Sequence, residues 1–335
     1  GKWYPGESLP RWALNCYWRA DGEPIWREEA LIADDTVSGK VSAEDARRFG
    51  AELSARLGVS PKSLIPGYED AYYYLWYERT LPVNIDPLEY DLKDGEERRR
   101  LAQLLERDLG SVTGYALPLR WNYARGGWQS GQWPLRREHL YLIPGDSPMG
   151  LRLPLTALPW VGDTDLPVEQ SLFEFRKPLR DLHGEIARRY SALLDGRDVS
   201  GHHREGVNQD WQEQPEHDDD DTIVHTALCI EPREGHLYVF MPPLGYLEHY
   251  LELIAAIEHT AAALSIPVFI DGYAPPSDPR LKKFAVTPDP GVIEVNIHPA
   301  SSWDELVHNT HVLYEEARQT RLGTEKFMLD GRHTD

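Results

Sequence analysis

The stretch Val292-Ile-Glu-Val-Asn-Ile-His298 concentrates side chains that can do chemistry. Read as a strand of period two, it sends Ile293, Val295 and Ile297 to one side and Glu294, Asn296 and His298 to the other. A carboxylate, an amide and an imidazole in a row are donors that divalent cations and phosphates use. Neighbours at i and i+2 stand ~6.5–7 Å apart, so Glu294 and His298 are ~13 Å apart and cannot share one ion. Further ligands for an ion at Glu294 have to come from a strand alongside, ~5 Å away.

The run Thr222–Glu231 offers such a strand. Ile223, His225, Ala227, Cys229 and Glu231 share one face, opposite Val224, Thr226, Leu228 and Ile230. Arg233-Glu-Gly235 then turns, and His236–Met241 returns as the second arm of a hairpin. Glu231, Glu294 and Asn296 on one wet face would make an oxygen-ligand site for Mg²⁺ or Mn²⁺. The plain alternative is the solvated face that antiparallel sheets commonly have. Asp271-Gly-Tyr-Ala-Pro-Pro-Ser-Asp-Pro-Arg280 is a stiff loop. Its Asp271, Asp278 and Arg280 either face a ligand or cap their own turn. Arg233 or Arg280 would stabilise charge developing on a transferred phosphoryl group. Cys229, between Leu228 and Ile230 in mid-strand, reads as a buried thiol and not as a nucleophile.

The elements that must position these groups follow from pattern. Ser42 with Asp45 starts a helix whose stripe Ala46, Phe49, Leu53 and Leu57 stops at Gly58. A second helix is predicted over Asp94–Leu109, and the aromatic block Tyr72–Tyr77 is assigned to core packing. Tyr115–Tyr123 and His139–Ile143 read as strands. There Trp121, Trp128 and Trp133 alternate with Arg120, Arg125, Arg136 and Arg137, either as a platform for a peptide or sugar or as a hairpin with solvated arginines. Residues 206–221, including Asp218–Asp221, are a polar acidic loop and the best domain boundary. This separates an α+β region over 1–205 from a second domain over 222–335. The latter has a helix over Leu247–Leu264, with Glu248, Glu252 and His259 outward, and a last helix from Ser302 to about Leu322. The order predicts an α+β fold with a mixed or antiparallel sheet and flanking helices.

Composition bounds the function. Among 335 residues, 35 Lys and Arg stand against 55 Asp and Glu, a net charge of −20. That balance disfavours nucleic acid and anionic membranes as partners, yet a nucleotide carried by Mg²⁺ remains compatible with it. No apolar run approaches the ~18 residues of a membrane helix. Two cysteines, Cys16 and Cys229, exclude a disulfide framework and suit the cytoplasm. The sequence lacks G-x-G-x-x-G, Walker, H-E-x-x-H, EF-hand and G-x-S-x-G motifs, so any ATP chemistry uses another architecture. A start at Gly1-Lys2-Trp3-Tyr4-Pro5 predicts a chain cut from something longer.

Three long motifs carry a resemblance: GKWYPGE-x-LPRWAL, TALCIEPREGHLYVFMPP, and DGYAPPSDPRL with VTPDPGVIEVNIHPASSWDEL. Together they resemble a bacterial family described as amidoligases (domain of unknown function 2126), along essentially the whole chain. The resemblance implies a glutamine-synthetase-like catalytic core, often joined to a transglutaminase-like domain, and ATP-dependent joining of a carboxylate to an amine through an acyl phosphate. In related folds acids on a mostly antiparallel, curved sheet hold the metals, and Glu231 and Glu294 match such strand positions, with Asn296 and His298 in the same motif. The site expected from these residues together with the loop is Glu231, Glu294 and Asn296 for metal, Arg233 and His298 for the cofactor, and Asp271 and Arg280 for catalysis. The substrates implied are a small-molecule or peptide carboxylate and an amine, with other domains of the same polypeptide as partners. Asp271 stands where the family pattern has Glu. The pattern also runs on past Thr334 into a Gly-rich, His-containing stretch, so the chain is expected to hold part of an active site and to be inactive alone. The competing function is a non-catalytic peptide-binding module built on the Trp/Arg segment 120–137.

Overall fold

The computed structural model describes residues 13–80, 110–135, 138–159, 175–194, 223–289, 292–323 and 331–332. The expected helix Asp94–Leu109, the acidic tract with Asp218–Asp221, and Arg136 and Arg137 lie outside the described residues. The chain forms two units. One combines Gly1–Ile25 with Asp278–Asp335, and the other is Trp26–Ser277.

The larger unit is built on a six-stranded mixed sheet. Its strands are β2 (Ile65–Tyr68), β3 (Val112–Pro118), β6 (Leu140–Tyr141), β7 (Ala227–Arg233), β8 (His236–Met241) and β9 (Val268–Gly272), in the order β6-β2-β3-β7-β8-β9. The outer pairs β6/β2 and β8/β9 are parallel, and the inner pairs are antiparallel. A parallel pair needs a long crossover, and α4 (Leu247–Leu264) supplies it between β8 and β9. β3 precedes and β7 follows residues 206–221, so chain from both sides of that tract enters one sheet.

α1 (Ala43–Leu57) forms as its sequence dictates. Ser42 and Asp45 complete a capping box, Gly58 ends the helix at φ 72°, and Ala46, Phe49, Leu53 and Leu57 are buried. Gly50 lets α1 lie close to Ile230 on one face of the sheet. On the other face Ala116, Cys229 and Phe240 pack with Trp133, Leu140, Leu142, Met149 and Leu153. The wet face expected for the hairpin is therefore corrected: β7 is covered on both sides from Ala227 to Ile230.

Backbone closeness explains several glycines. A Cβ on Gly150 would lie 2.1 Å from the Phe240 ring, so the Met149–Leu151 turn sits directly on the sheet. The β7–β8 turn uses Glu234 and Gly235 at φ 53° and 80°, the left-handed pair of a tight hairpin. Gly39 lies against that turn with no room for a side chain, and Val41 donates its N–H to the Gly235 carbonyl at 2.8 Å.

One aromatic and one acidic expectation change, and the Trp/Arg segment takes the hairpin form of its two readings. In α2 (Ala71–Glu78) Tyr74 is buried, but Tyr72, Leu75 and Trp76 are exposed, so the block is not core as a whole. Trp121 on β4 (Arg120–Asn122) and Trp128 on β5 (Gly127–Gln129) are buried, as is Trp133. Trp121 stacks on His249 of α4, Trp128 donates to Glu252, and Trp133 donates to the Val224 carbonyl. Glu252 is thus buried rather than outward, paired also with Arg189 on α3 (Leu182–Leu194). Helix α4 meets protein on nearly every side, which removes the amphipathic contrast that periodicity relies on.

The smaller unit has an antiparallel sheet of β1 (Leu14–Arg19), β10 (Leu281–Asp289) and β11 (Val292–Ile297), in the order β1-β10-β11. Its helix is α5 (Trp303–Gln319), capped where Ser302 accepts the Glu305 N–H. The expectation that the β7–β8 hairpin runs beside β11 is corrected, because β11 pairs with β10 and the hairpin belongs to the other sheet. The architecture is mixed α/β. No helix among the described residues is long and apolar enough to cross a membrane.

Candidate active site on the six-stranded sheet

The pairing register places Glu231 of β7 opposite Tyr238 of β8, which in turn is opposite Phe269 of β9. Directly paired residues point to the same side, and so do residues two apart, so Arg233 and Asp271 join this face. The Arg233 guanidinium lies 3.8 Å above the Tyr238 ring, and Tyr238 stacks on Phe269 at 4.8 Å. From that position it reaches Glu231 Oε2 at 3.8 Å and Asp271 Oδ2 at 3.6 Å. Both distances exceed a hydrogen bond, so Arg233 stands between the two carboxylates as a cation without locking to either.

Glu231 is held from behind. The Met149 N–H donates to its Oε2 at 3.1 Å. Burial pushes its carboxyl pKa up, against the pull of Met149, Arg233 and Arg152, while Glu69 adds a further upward push. Arg152, itself buried, makes a two-pronged ion pair with Glu69, with Nη1 to Oε1 at 3.0 Å and Nη2 to Oε2, and donates Nε to the Ile143 carbonyl at 2.8 Å. Thr113 also reaches Glu69 Oε1, at 3.4 Å. The sequence reading missed Glu69 and Arg152. The signal for Arg152 was present, as a single charge inside the apolar run Met149-Gly-Leu-Arg-Leu-Pro-Leu155.

The other anticipated residues belong to the smaller unit. Arg280 donates Nε and Nη2 to Asp278 at 2.9 and 2.7 Å, and its backbone N–H goes to the same carboxylate at 2.8 Å. Asp278 therefore does cap its own turn. Glu294 and Asn296 are exposed on β11, Glu294 with Thr287 Oγ at 3.4 Å. His298 sits 3.5 Å from Glu305 and meets the Trp18 ring edge-on. The structure thus gathers Glu231, Arg233 and Asp271 on one sheet, and sets Glu294, Asn296, His298 and Arg280 in another unit. Cys229 is fully buried, and burial drives its thiol pKa far up, as expected of an inert thiol.

Three carboxylates, Glu69, Glu231 and Asp271, share this region with two guanidinium groups, one more acid than base. Among the described residues no three His, Cys, Asp or Glu converge as metal ligands. One or two carboxylates are what Mg²⁺ takes from a protein when it arrives on a nucleotide, keeping waters and phosphate oxygens as its other ligands. The donor set fits that mode, and not an all-protein cage.

Over residues 1–335 the sequence matches the family described as "Putative amidoligase enzyme (DUF2126)". The chain belongs to that family. No curated protein and no solved structure matches it. The amidoligase description is a statement about the general reaction, and the face around Glu231 is one place where the described residues of this amidoligase-family chain combine burial, charge and aromatic support.

Proposed function

We propose that this chain carries an ATP- and Mg²⁺-dependent amide-forming ligase site, joining the carboxylate of a peptide or amino-acid-like substrate to an amine on a glutamine-synthetase-like core. The observation that carries the reading is Arg233, braced on Tyr238 between Glu231 and Asp271 without a locked hydrogen bond to either. A guanidinium so placed turns to phosphate oxygens at small cost, because only long ion pairs are exchanged. In the reaction a substrate carboxylate oxygen attacks the γ-phosphorus, and ADP leaves. The amine nitrogen then attacks the acyl carbon, and inorganic phosphate leaves. Arg233 holds the transferring phosphoryl group and offsets its charge. Glu231, kept in place by the Met149 N–H, would hold a divalent ion, which when bound would neutralise phosphate charge. Asp271, half exposed at the strand end, takes the proton that the attacking ammonium must lose. Tyr238 and Phe269 present an apolar floor that excludes water from one side.

Calorimetric titration of Mg-ATP tests the reading, together with assay of ADP release from a panel of acids and amines. Binding that falls at least ten-fold in Arg233→Met and in Glu231→Gln, with the fold retained, supports it. Equal binding in wild type and both variants would remove it. Burial of Trp121, Trp128 and Trp133 weighs against the peptide-binding alternative.

A further inference from the structure

Strand β11 is an edge among the described residues, with β10 on one side only. Every residue from Ile293 to Ile297 is exposed, and Ile293, Val295 and Ile297 keep 48, 42 and 38% of their surface open. Leu14 and Trp18 on β1 are exposed as well. Alternate residues of an edge strand direct N–H and C=O out of the sheet, ready to pair with another strand. Proteins usually blunt such edges with Lys, Pro or a bulge. Residues 292–297 carry one charge, Glu294, and neither Lys nor Pro, and the β10–β11 register runs without a shift.

We propose that this edge pairs with the same strand of a second copy, antiparallel and about a two-fold axis at Val295. The occupant is argued from the sequence of the edge, which is self-complementary about Val295. With Val295 opposite its own copy, Ile293 meets Ile297, and Glu294 meets Asn296 on the partner strand. The amide then donates to the carboxylate, and no like charges are opposed. A slip by one residue puts Glu294 opposite Val295, so that a carboxylate enters the apolar face. An axis at Glu294 opposes two carboxylates, and an axis at Asn296 pairs Glu294 with His298, one residue beyond the end of the strand. The paired edges would extend two three-stranded sheets into one of six strands, with the exposed isoleucines and valines side by side. Five paired residues cover less than the ~800 Å² per partner of a standard interface, so the dimer is a concentration-dependent one. The net charge of −20 on each copy opposes it, and added salt relieves that opposition.

The test is the mass of the chain by sedimentation equilibrium over about 1–200 µM in moderate salt. The expected result is a rise from 38.3 kDa towards roughly twice that value, reversed on dilution. Val295→Lys opposes two ammonium groups at the axis, and Asn296→Glu opposes Glu294 to a second carboxylate. Each should weaken dimerisation at least ten-fold, while Trp76→Lys in the other unit should leave it unchanged. Register is read separately by Val295→Cys in a Cys16→Ser background. Opposed Cα atoms at about 4.5–5.5 Å lie within disulfide range, so mild oxidation should link two copies through position 295, whereas Ile293→Cys should link poorly. A constant mass of 38.3 kDa over the whole range would overturn the proposal. So would dimers that survive both charged variants, or that dissociate with Trp76→Lys instead.

Discussion

Met149 donates its backbone N–H to the Glu231 carboxylate at 3.1 Å, across two segments that are distant in sequence. The donor belongs to a short turn lying directly on the sheet, and the acceptor is the central acid of the candidate site. Whatever fixes the turn therefore fixes the acid. Arg152, at the end of that turn, is tied to Glu69 and to the Ile143 carbonyl.

The first expectation concerns that anchor. Arg152→Met leaves Glu69 as a buried carboxylate with its cation removed, and should cost about 3–5 kcal/mol in urea unfolding. The double variant Glu69→Leu/Arg152→Met removes both charges and should be more stable than Arg152→Met alone. A single variant within about 1 kcal/mol of wild type would mean that the pair is effectively solvated.

Gly150 yields the second. Its replacement by Ala puts a methyl group where the Phe240 ring already lies, at 2.1 Å from Cβ. The turn must lift, so Gly150→Ala should destabilise by about 1–3 kcal/mol, as overpacking does. Phe240→Leu should recover part of that loss when combined with it. Additive losses in the double variant would show that the ring is not the obstacle.

A third expectation is a pH response in the smaller unit. Hydrogen bonds from Ser301, first from its side chain and then from its backbone, hold the Glu305 carboxyl at a pKa of about 2, below its ordinary 4.5. A depressed folded-state pKa gives stability that is complete above about pH 4.5 and is lost as pH falls towards 2. Thermal midpoints of wild type should therefore fall more steeply over that window than those of Glu305→Gln. Parallel curves for the two proteins would contradict the assignment.

Thiol labelling gives the fourth. Cys229 is fully buried and its pKa is pushed upward, whereas Cys16 is half-buried on β1. Iodoacetamide should modify Cys16 in the native protein and reach Cys229 only in denaturant. Native labelling of Cys229 would mean that the six-stranded sheet opens readily.

Local signals were legible from sequence, and long-range pairing was not. The capping box at Ser42, the stop at Gly58 and the span Leu247–Leu264 all come from short-range chemistry and appear as read. The alternation in β11 is also as read, with Glu294 and Asn296 opposite Ile293, Val295 and Ile297. Which strand lies beside β11 depends on residues far away, and two strands with matching period two are compatible with either sheet. Glu231 and Glu294 were placed together for that reason. Glu252 illustrates a different failure, because its burial depends on Arg189 and Trp128 arriving from other elements. Arg152 likewise has its partner Glu69 on a distant segment, and no spacing rule joins them.

The contact between Gly39 and the β7–β8 turn has a bearing on the order of folding. The turn itself closes between neighbours, and α1 forms from local signals, so both can arise early. Bringing Gly39 against Gly235 instead closes a loop of most of the larger unit, which is costly in chain entropy and rewarded only once both sides are shaped. The Val41 N–H bond to Gly235 is therefore expected to form late, as a latch set after its two halves exist. Gly39→Ala should accordingly speed unfolding while leaving the refolding rate nearly unchanged. A slowed refolding limb would place that latch in the nucleus instead.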